Sequence, residues 1–278
     1  MDRETSAEPR NLRRERITTG KQLREALRNG DYVFGTAIVS RLDHLWPEVM
    51  ASLGMDLVFL DAEHTPNDRQ ALSTLCQLYQ SKGVVPIVRI PKPDPYLATM
   101  VLDGGARGVI GPYIETAEQV RQLAGAVRYK PLKGQKLAGL LENSLSVEQE
   151  LKSYLEQVNE NNLLIINIES APALENLDEI LSVEGLDGVL VGPHDLSCSL
   201  GIPEQYDHPR FSAAIEQIIA GCRANNVGVG IHVWEDVGYD REVEWARKGA
   251  NLIMHSNEVS IFQKAMAAQL ARLRRALV

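Results

Sequence analysis

The sequence predicts a single (β/α)8 barrel, and three observations carry that prediction. Eight short aliphatic runs alternate with helical stretches over about 250 residues, the rhythm of strand and crossover helix that closes such a barrel. Each run is apolar on both faces, as a parallel strand covered by helices must be. Ionisable residues then gather just after the runs, at the strand ends where this fold keeps its chemistry.

Lys21 to Arg28 reads as a short helix closed by Asn29-Gly30, since glycine ends helices readily. The strand-like runs follow in order: Tyr32–Val39, Leu57–Leu60, Val84–Ile90, Gly108–Tyr113, Leu163–Ile168, Gly188–Val191, Val227–Val233 and Asn251–Met254. Among the helical segments, Gln70–Ser81 sets Leu72, Leu75, Cys76, Leu78 and Tyr79 on one face. Pro209–Asn225 does the same with Phe211, Ala214, Ile215, Ile218, Ile219 and Cys222, and Arg241–Lys248 and Val259–Leu277 repeat the pattern. Val259–Leu277 reads as the last barrel helix, with Arg272, Arg274 and Arg275 favoured by the dipole at its C-terminus. Between Arg128 and Glu160, a basic stretch (Lys130, Lys133, Lys136), an apolar piece (Leu137–Leu141) and an acidic helix form an insertion after the fourth strand. It is expected at the substrate rim. No Gly/Pro/Ser-rich linker divides the chain. The reading is a flexible arm over 1–19 and one barrel over 20–278.

Composition narrows the function. In 278 residues, 44% hydrophobic and 24% charged is ordinary for a globular protein and excludes a disordered tail, a collagen-like fibre or a coiled coil. Aromatics are only 5%, so the core is aliphatic. Lys plus Arg number 29 against 37 Asp plus Glu, and a net charge of -8 argues against a nucleic-acid or anionic-membrane footprint. Cys76, Cys198 and Cys222 form no paired framework, which suits a reducing, cytoplasmic setting. No apolar run approaches the roughly 20 residues of a membrane span, and the first sixteen residues, rich in both Arg and Glu, do not resemble a signal peptide.

The rim residues suggest the chemistry. After the second run comes Asp61-Ala-Glu63-His64; the third ends at Arg89; Glu169 follows the fifth; Gly192-Pro193-His194-Asp195 follows the sixth; His232 and His255 lie at the seventh and eighth. Glu169 and Asp195 sit one β/α unit apart. Two carboxylates without a Cys or His cluster suit a hard cation, Mg²⁺ or Mn²⁺, with water and substrate oxygens filling the other positions; the alternative is that they cap helices or hold loops. The Gly192-Pro193 turn opens a helix whose first N–H groups suit a carboxylate, or is a plain turn with Asp195 as cap. His64 carries an imidazole and suits proton transfer, or is a hydrogen-bonded structural histidine. Arg89 needs a partner, and an anionic substrate oxygen is one. Asp103 lies in the turn before the fourth strand and reads by itself as a turn aspartate.

Taken in order, Asp61-Ala-Glu63-His64, Pro86-Ile-Val-Arg89, Leu102-Asp103-Gly-Gly, Ile168-Glu169 and Val191-Gly192-Pro193-x-Asp195-Leu196-Ser197 resemble the HpcH/HpaI aldolase/citrate lyase family, the class II 2-oxo-acid aldolases. The resemblance runs from about Phe34 to Leu273. It implies that Glu169 and Asp195 bind the divalent metal (Mg²⁺ or Mn²⁺, with Co²⁺ possible), with Asp61 behind them holding its water. It also implies that the backbone at Gly192, Pro193 and His194 holds the pyruvyl carboxylate. Arg89 would contact the 2-oxo oxygen, and His64, oriented by Asp103 of its own or a neighbouring subunit, would move the proton. It further implies a homo-oligomer, a hexamer or trimer of dimers, with the last helix exchanged between subunits.

This chain departs from the family at Gly134-Gln135-Lys136-Leu137, where relatives carry Gly-x-Arg-Gly, and by the added imidazoles His194, His232 and His255, each suited to a polar substrate tail or, alternatively, to a neighbouring backbone carbonyl. The expected reaction is reversible cleavage of a 4-hydroxy-2-oxo acid to pyruvate and an aldehyde, through a pyruvate enolate stabilised by cation and arginine without a Schiff-base lysine. The alternatives are a decarboxylase of oxaloacetate or a relative at the same site, and a non-catalytic barrel that binds a 2-oxo acid.

Overall fold

The computed structural model describes residues 16–40, 43–142, 145–233 and 238–277. The first half of the chain runs α1 (Gly20–Asn29), β1 (Val33–Ile38), α2 (Trp46–Ser52), β2 (Leu57–Asp61), α3 (Arg69–Ser81), β3 (Val85–Arg89), α4 (Pro95–Asp103), β4 (Gly108–Gly111) and α5 (Ala117–Arg128). Next come α6 (Gly134–Leu141), α7 (Gln149–Val158), β5 (Leu163–Asn167), α8 (Ala171–Glu175), α9 (Leu177–Leu181) and β6 (Gly188–Val191). The last third is α10 (Pro193–Ser199), α11 (Pro209–Ala224), β7 (Gly228–Val233), α12 (Tyr239–Arg247), β8 (Leu252–Asn257) and α13 (Glu258–Leu277). The eight strands pair in parallel in chain order and close β8 onto β1, so the predicted barrel is present.

Strand boundaries follow the aliphatic runs to within two or three residues, because a strand buried on both faces can be built only from such a run. The pairing registers stack the interior side chains in layers drawn from alternate strands. Gly35, Ile87, Ile165 and Gly230 form one layer, and Phe59, Ile110, Leu190 and Met254 the next. Toward the strand C-termini the layer is Ala37, Arg89, Asn167 and His232, and there the interior turns polar. Leu23, Ala26 and Leu27 of α1 join the interior cluster and close the opposite end. A Cβ on Gly228 would meet Leu27 at 2.8 Å, so the plug is seated against the strand itself. A second apolar cluster lies between the strands and the outer helices.

Three expectations need correction. Residues 1–15 of the predicted arm lie outside the described residues, but its last part packs: Ile17 is buried, and the Arg16 guanidinium donates to the Ala51 and Lys82 carbonyls. The insertion does not sit on the rim. It leaves from the C-terminal end of α5, after that helix has carried the chain back down the outside of the barrel, and Gly134-Gln135-Lys136-Leu137 are the first turn of α6. Leu137 and Leu141 of that helix rest against Gly125.

The last helix is not a barrel helix. Of the twenty residues of α13 only Glu258 is buried, while Val259, Ile261, Phe262, Met266, Leu270 and Leu273 are exposed. The direction of take-off explains this. Ser256 is held at φ 49°, and the buried Glu258 carboxylate accepts hydrogen bonds from the Val39 and Ser40 N–H groups at 2.6–3.1 Å, so the helix is anchored at its root and points away.

Candidate active site

At the C-terminal end of the barrel, Arg89 at the end of β3 is gripped by Asp61 at the end of β2, its register partner. Nε donates to Oδ1 at 3.0 Å and Nη2 to Oδ2 at 2.8 Å, a two-point pair that fixes the guanidinium plane. Burial would raise the Asp61 pKa, but the hydrogen bonds and charge of Arg89 outweigh it and hold the carboxyl below its ordinary value. Arg89 Nε also lies 3.1 Å from Glu63 Oε2, and Phe59 lies beneath the guanidinium, 5.0 Å from its ring centroid. Glu63 Oε2 in turn lies 3.7 Å from His64 Nε2. A chain of charged groups thus runs from the floor to the exposed imidazole at the mouth. Glu63 stood in the sequence motif without a role; the tip of a side chain two residues past a strand cannot be placed from spacing alone.

Glu169 and Asp195 border one space. An ideal Cβ on Gly192 would lie 2.2 Å from Glu169 Oε2 and 3.5 Å from Asp195 Oδ2, so only glycine leaves the carboxylates room. Glu169 is buried, and its Oε1 accepts from the Tyr113 N–H at 3.0 Å. Burial first, and the Asp195 charge second, push its pKa up to about 7. A buried carboxylate, Glu169, and an exposed one, Asp195, both bordering Gly192, are donors that a hard divalent cation fits. No group of three or more His, Cys, Asp or Glu side chains converges among the described residues, so water and substrate oxygens would fill the remaining positions. Tyr113, which had no sequence signal beyond its place at the end of the fourth run, holds a left-handed φ of 47° to deliver that N–H.

The Gly192 turn runs directly into α10. Pro193 has no N–H to give, so the donors left unpaired at this helix start are those of His194 and Asp195. The His194 side chain turns aside, with Nδ1 3.6 Å from Glu204 Oε1 and Nε2 3.9 Å from Cys198 Sγ. His255 faces away from the interior and pairs with Glu242 at 2.7 Å, so it does not reach a substrate tail within this chain. His232 faces inward, edge-on to Phe59 with centroids 5.4 Å apart. No lysine stands in the interior layers, and Lys92 is exposed and pairs with Asp94.

Asp103 does not orient the His64 of its own chain. It is the last residue of α4, whose axis carries it away from the rim, and it pairs with Lys130 at 2.7 Å. His64 has Glu63 beside it instead.

Burial lowers the His232 pKa to about 4, the nearby Arg89 charge adds to the effect, and the Ser256 carbonyl and Asp61 oppose it. A folded pKa below the ordinary 6.5 means the unfolded chain binds the proton more readily. This contribution to stability is therefore complete above pH 6.5 and is lost as pH falls toward 4. His232→Leu is expected to flatten the fall in urea-unfolding free energy between pH 6.5 and 4; an unchanged slope would contradict the buried, neutral imidazole.

Comparison with known proteins gives a consistent result. The family profile described as HpcH/HpaI aldolase/citrate lyase matches residues 42–262. The chain is 35% identical over 248 residues to a 2-keto-3-deoxy-L-rhamnonate aldolase of Salmonella gallinarum (strain 287/91), covering 89% of this chain and 91% of that relative. Among solved structures, an HpcH/HpaI aldolase from Desulfitobacterium hafniense DCB-2 superposes with a TM-score of 0.77 at 26% identity, over 91% of this chain and 96% of the other. The citrate synthase SbnG gives a TM-score of 0.77 at 28% identity, over 91% and 98%.

Proposed function

The chain belongs to the HpcH/HpaI aldolase/citrate lyase family, and we propose that it is a divalent-metal-dependent lyase that reversibly cleaves a 4-hydroxy-2-oxo acid to pyruvate and an aldehyde. The observation that carries this reading is the pairing of two carboxylates (Glu169, Asp195, cleared by Gly192) with a fixed, half-buried arginine on the same rim.

Glu169 and Asp195 would hold Mg²⁺ or Mn²⁺, which when bound supplies Lewis-acid stabilisation of negative charge on the substrate. The N–H groups of His194 and Asp195 seat the substrate carboxylate. Arg89, its Nε and Nη2 turned to Asp61 and Glu63, presents the rest of its guanidinium to the 2-oxo oxygen and meets the charge that develops as the carbon–carbon bond breaks. Because Asp61 and Glu63 hold that guanidinium in advance, little reorganisation accompanies the charge. His64, exposed at the mouth, takes the proton of the 4-hydroxyl in cleavage and returns it in synthesis. The 2-keto-3-deoxy-L-rhamnonate aldolase relative makes deoxy sugar acids the first substrates to try.

Assembly belongs to the same reading. The apolar face of α13 is covered by a second copy of the chain, and an Asp103 that cannot orient its own His64 serves a neighbour's. Phe262→Glu combined with Leu270→Glu should reduce the assembly to a smaller species by light scattering, with loss of activity. A wild-type monomer in solution would overturn this. The three free thiols suit a reducing, cytoplasmic setting, and among the described residues no helix is long and apolar enough to cross a membrane.

The test is pyruvate release from a panel of 4-hydroxy-2-oxo acids and oxaloacetate, before and after EDTA and after Mg²⁺ or Mn²⁺ is restored. Release from the hydroxy acids that follows the metal supports the proposal. Release from oxaloacetate alone supports a decarboxylase, and release indifferent to EDTA removes the metal from the mechanism.

A further inference from the structure

The closed end of the barrel, opposite the candidate active site, gathers more positive charge than the fold uses. Just before β6, Asp187 is fully buried and both of its oxygens are taken. Oδ1 faces Arg28 Nη2 at 3.3 Å, and Oδ2 accepts from Arg128 Nη2 and from the Leu164 N–H. Arg28 and Arg128 also lie in the last turns of α1 and α5, where a cation suits the helix dipole. Those two arginines are accounted for. Arg24 is not. It lies one turn earlier on α1, half-buried, and among the described residues it makes a single hydrogen bond, from Nη1 to the Asn162 carbonyl at 3.4 Å. That carbonyl is already engaged by Arg128 Nη1 at 2.6 Å.

Three guanidiniums therefore meet around one carbonyl and one carboxylate. Burial first, then the Arg128 charge, holds the Arg24 pKa below its ordinary value; Arg28 adds to the effect, and Asp187 and the exposed Glu25 oppose it. A cation taken partly out of water without a counter-ion is costly, and a guanidinium presents a fork of donors that matches an oxyanion. Three cations against one carboxylate leave two charges uncompensated in the cluster, the charge of a phosphate dianion. Arg28 is shared with a groove of about 510 Å³ that Asn29, Ser182, Asn225 and Asn226 also line. The ends of α1, α9 and α11 border it, and helix ends offer carbonyl acceptors that suit hydroxyl groups. Glu184 on the same lining disfavours a second anionic group there.

We propose that Arg24, Arg28 and Arg128 form a binding site for one phosphate group, as inorganic phosphate or as the monoester of a small polyol whose hydroxyls enter the groove. The site is separate from the chemistry at the other end of the barrel. Its occupant gives Arg24 the counter-charge that the chain does not, and ties α1, the plug of the barrel, to the segments that lead into β5 and β6. Binding therefore stabilises the closed end.

The test is calorimetric titration and the thermal midpoint with inorganic phosphate and with glycerol 3-phosphate, at an ionic strength matched by sodium chloride. Wild type should show saturable binding, with the midpoint raised by about 5 °C or more at roughly a hundredfold excess over Kd. Arg24→Gln, which keeps a good helix former at the position, should weaken binding by about tenfold or more, the worth of a charged hydrogen bond. Arg24→Lys retains the charge without the fork, should fall between the two, and keeps the proposal testable if the glutamine variant fails to fold. Tighter binding of glycerol 3-phosphate assigns the site to a monoester, and equal binding assigns it to phosphate itself. No saturable binding beyond that of chloride overturns the site. Binding undiminished in both variants also overturns it, by placing the anion elsewhere, as at the start of α10.

Discussion

Glu169→Gln is expected to lower kcat/KM for pyruvate release by about a thousandfold or more, since a bound cation contributes several kcal/mol of charge stabilisation and each 1.36 kcal/mol is tenfold in rate. The change is nearly isosteric. The Tyr113 N–H can still donate to an amide oxygen, so the fold should hold while the affinity for Mn²⁺, read by calorimetry, drops in parallel. Gly192→Ala supplies an independent arm, because its new methyl would fall 2.2 Å from Glu169 Oε2 and must displace the carboxylate without removing any charge. Both substitutions should therefore weaken metal binding and turnover together. A Glu169→Gln protein that kept wild-type turnover would remove the carboxylate pair from the mechanism.

His64→Ala should reduce aldol cleavage by about 10² to 10⁴, the usual contribution of a positioned acid–base group, while sparing oxaloacetate decarboxylation. The difference lies in the chemistry. Cleaving a 4-hydroxy-2-oxo acid requires a base for the alcohol proton, whereas loss of carbon dioxide needs only stabilisation of the resulting negative charge, and Arg89 is untouched by the substitution. His64 is 68% exposed on its side chain, so truncating it should cost little stability. Equal loss of both reactions would assign His64 to substrate binding or assembly instead of proton transfer.

Much of this was legible in the chain itself. The aliphatic runs marked all eight strands, because a parallel strand between two covered faces admits few other residues. The ends of those runs placed Asp61, Arg89, Glu169 and Asp195 on one rim, since strand polarity decides which end of a barrel a residue occupies. Two positions show the limit of that logic. Spacing placed His232 and His255 alike at the ends of neighbouring strands, yet one faces the interior against Phe59 and the other faces outward to Glu242. A single residue of register separates those outcomes. The amphipathic pattern of Val259–Leu277 likewise announced a helix with something to bury, but not where it goes.

The local sequence determined the elements, their order and the residues at their ends, because backbone geometry and the burial of apolar side chains act over a few neighbouring positions. Only the tertiary structure decided that Asp61 holds Arg89, that Gly192 clears the space between Glu169 and Asp195, that Asp103 is out of reach of its own His64, and that α13 leaves the barrel. Each of these depends on where side chains from distant segments meet after the barrel has closed, as the buried Glu258 carboxylate shows where it fixes the last helix's direction.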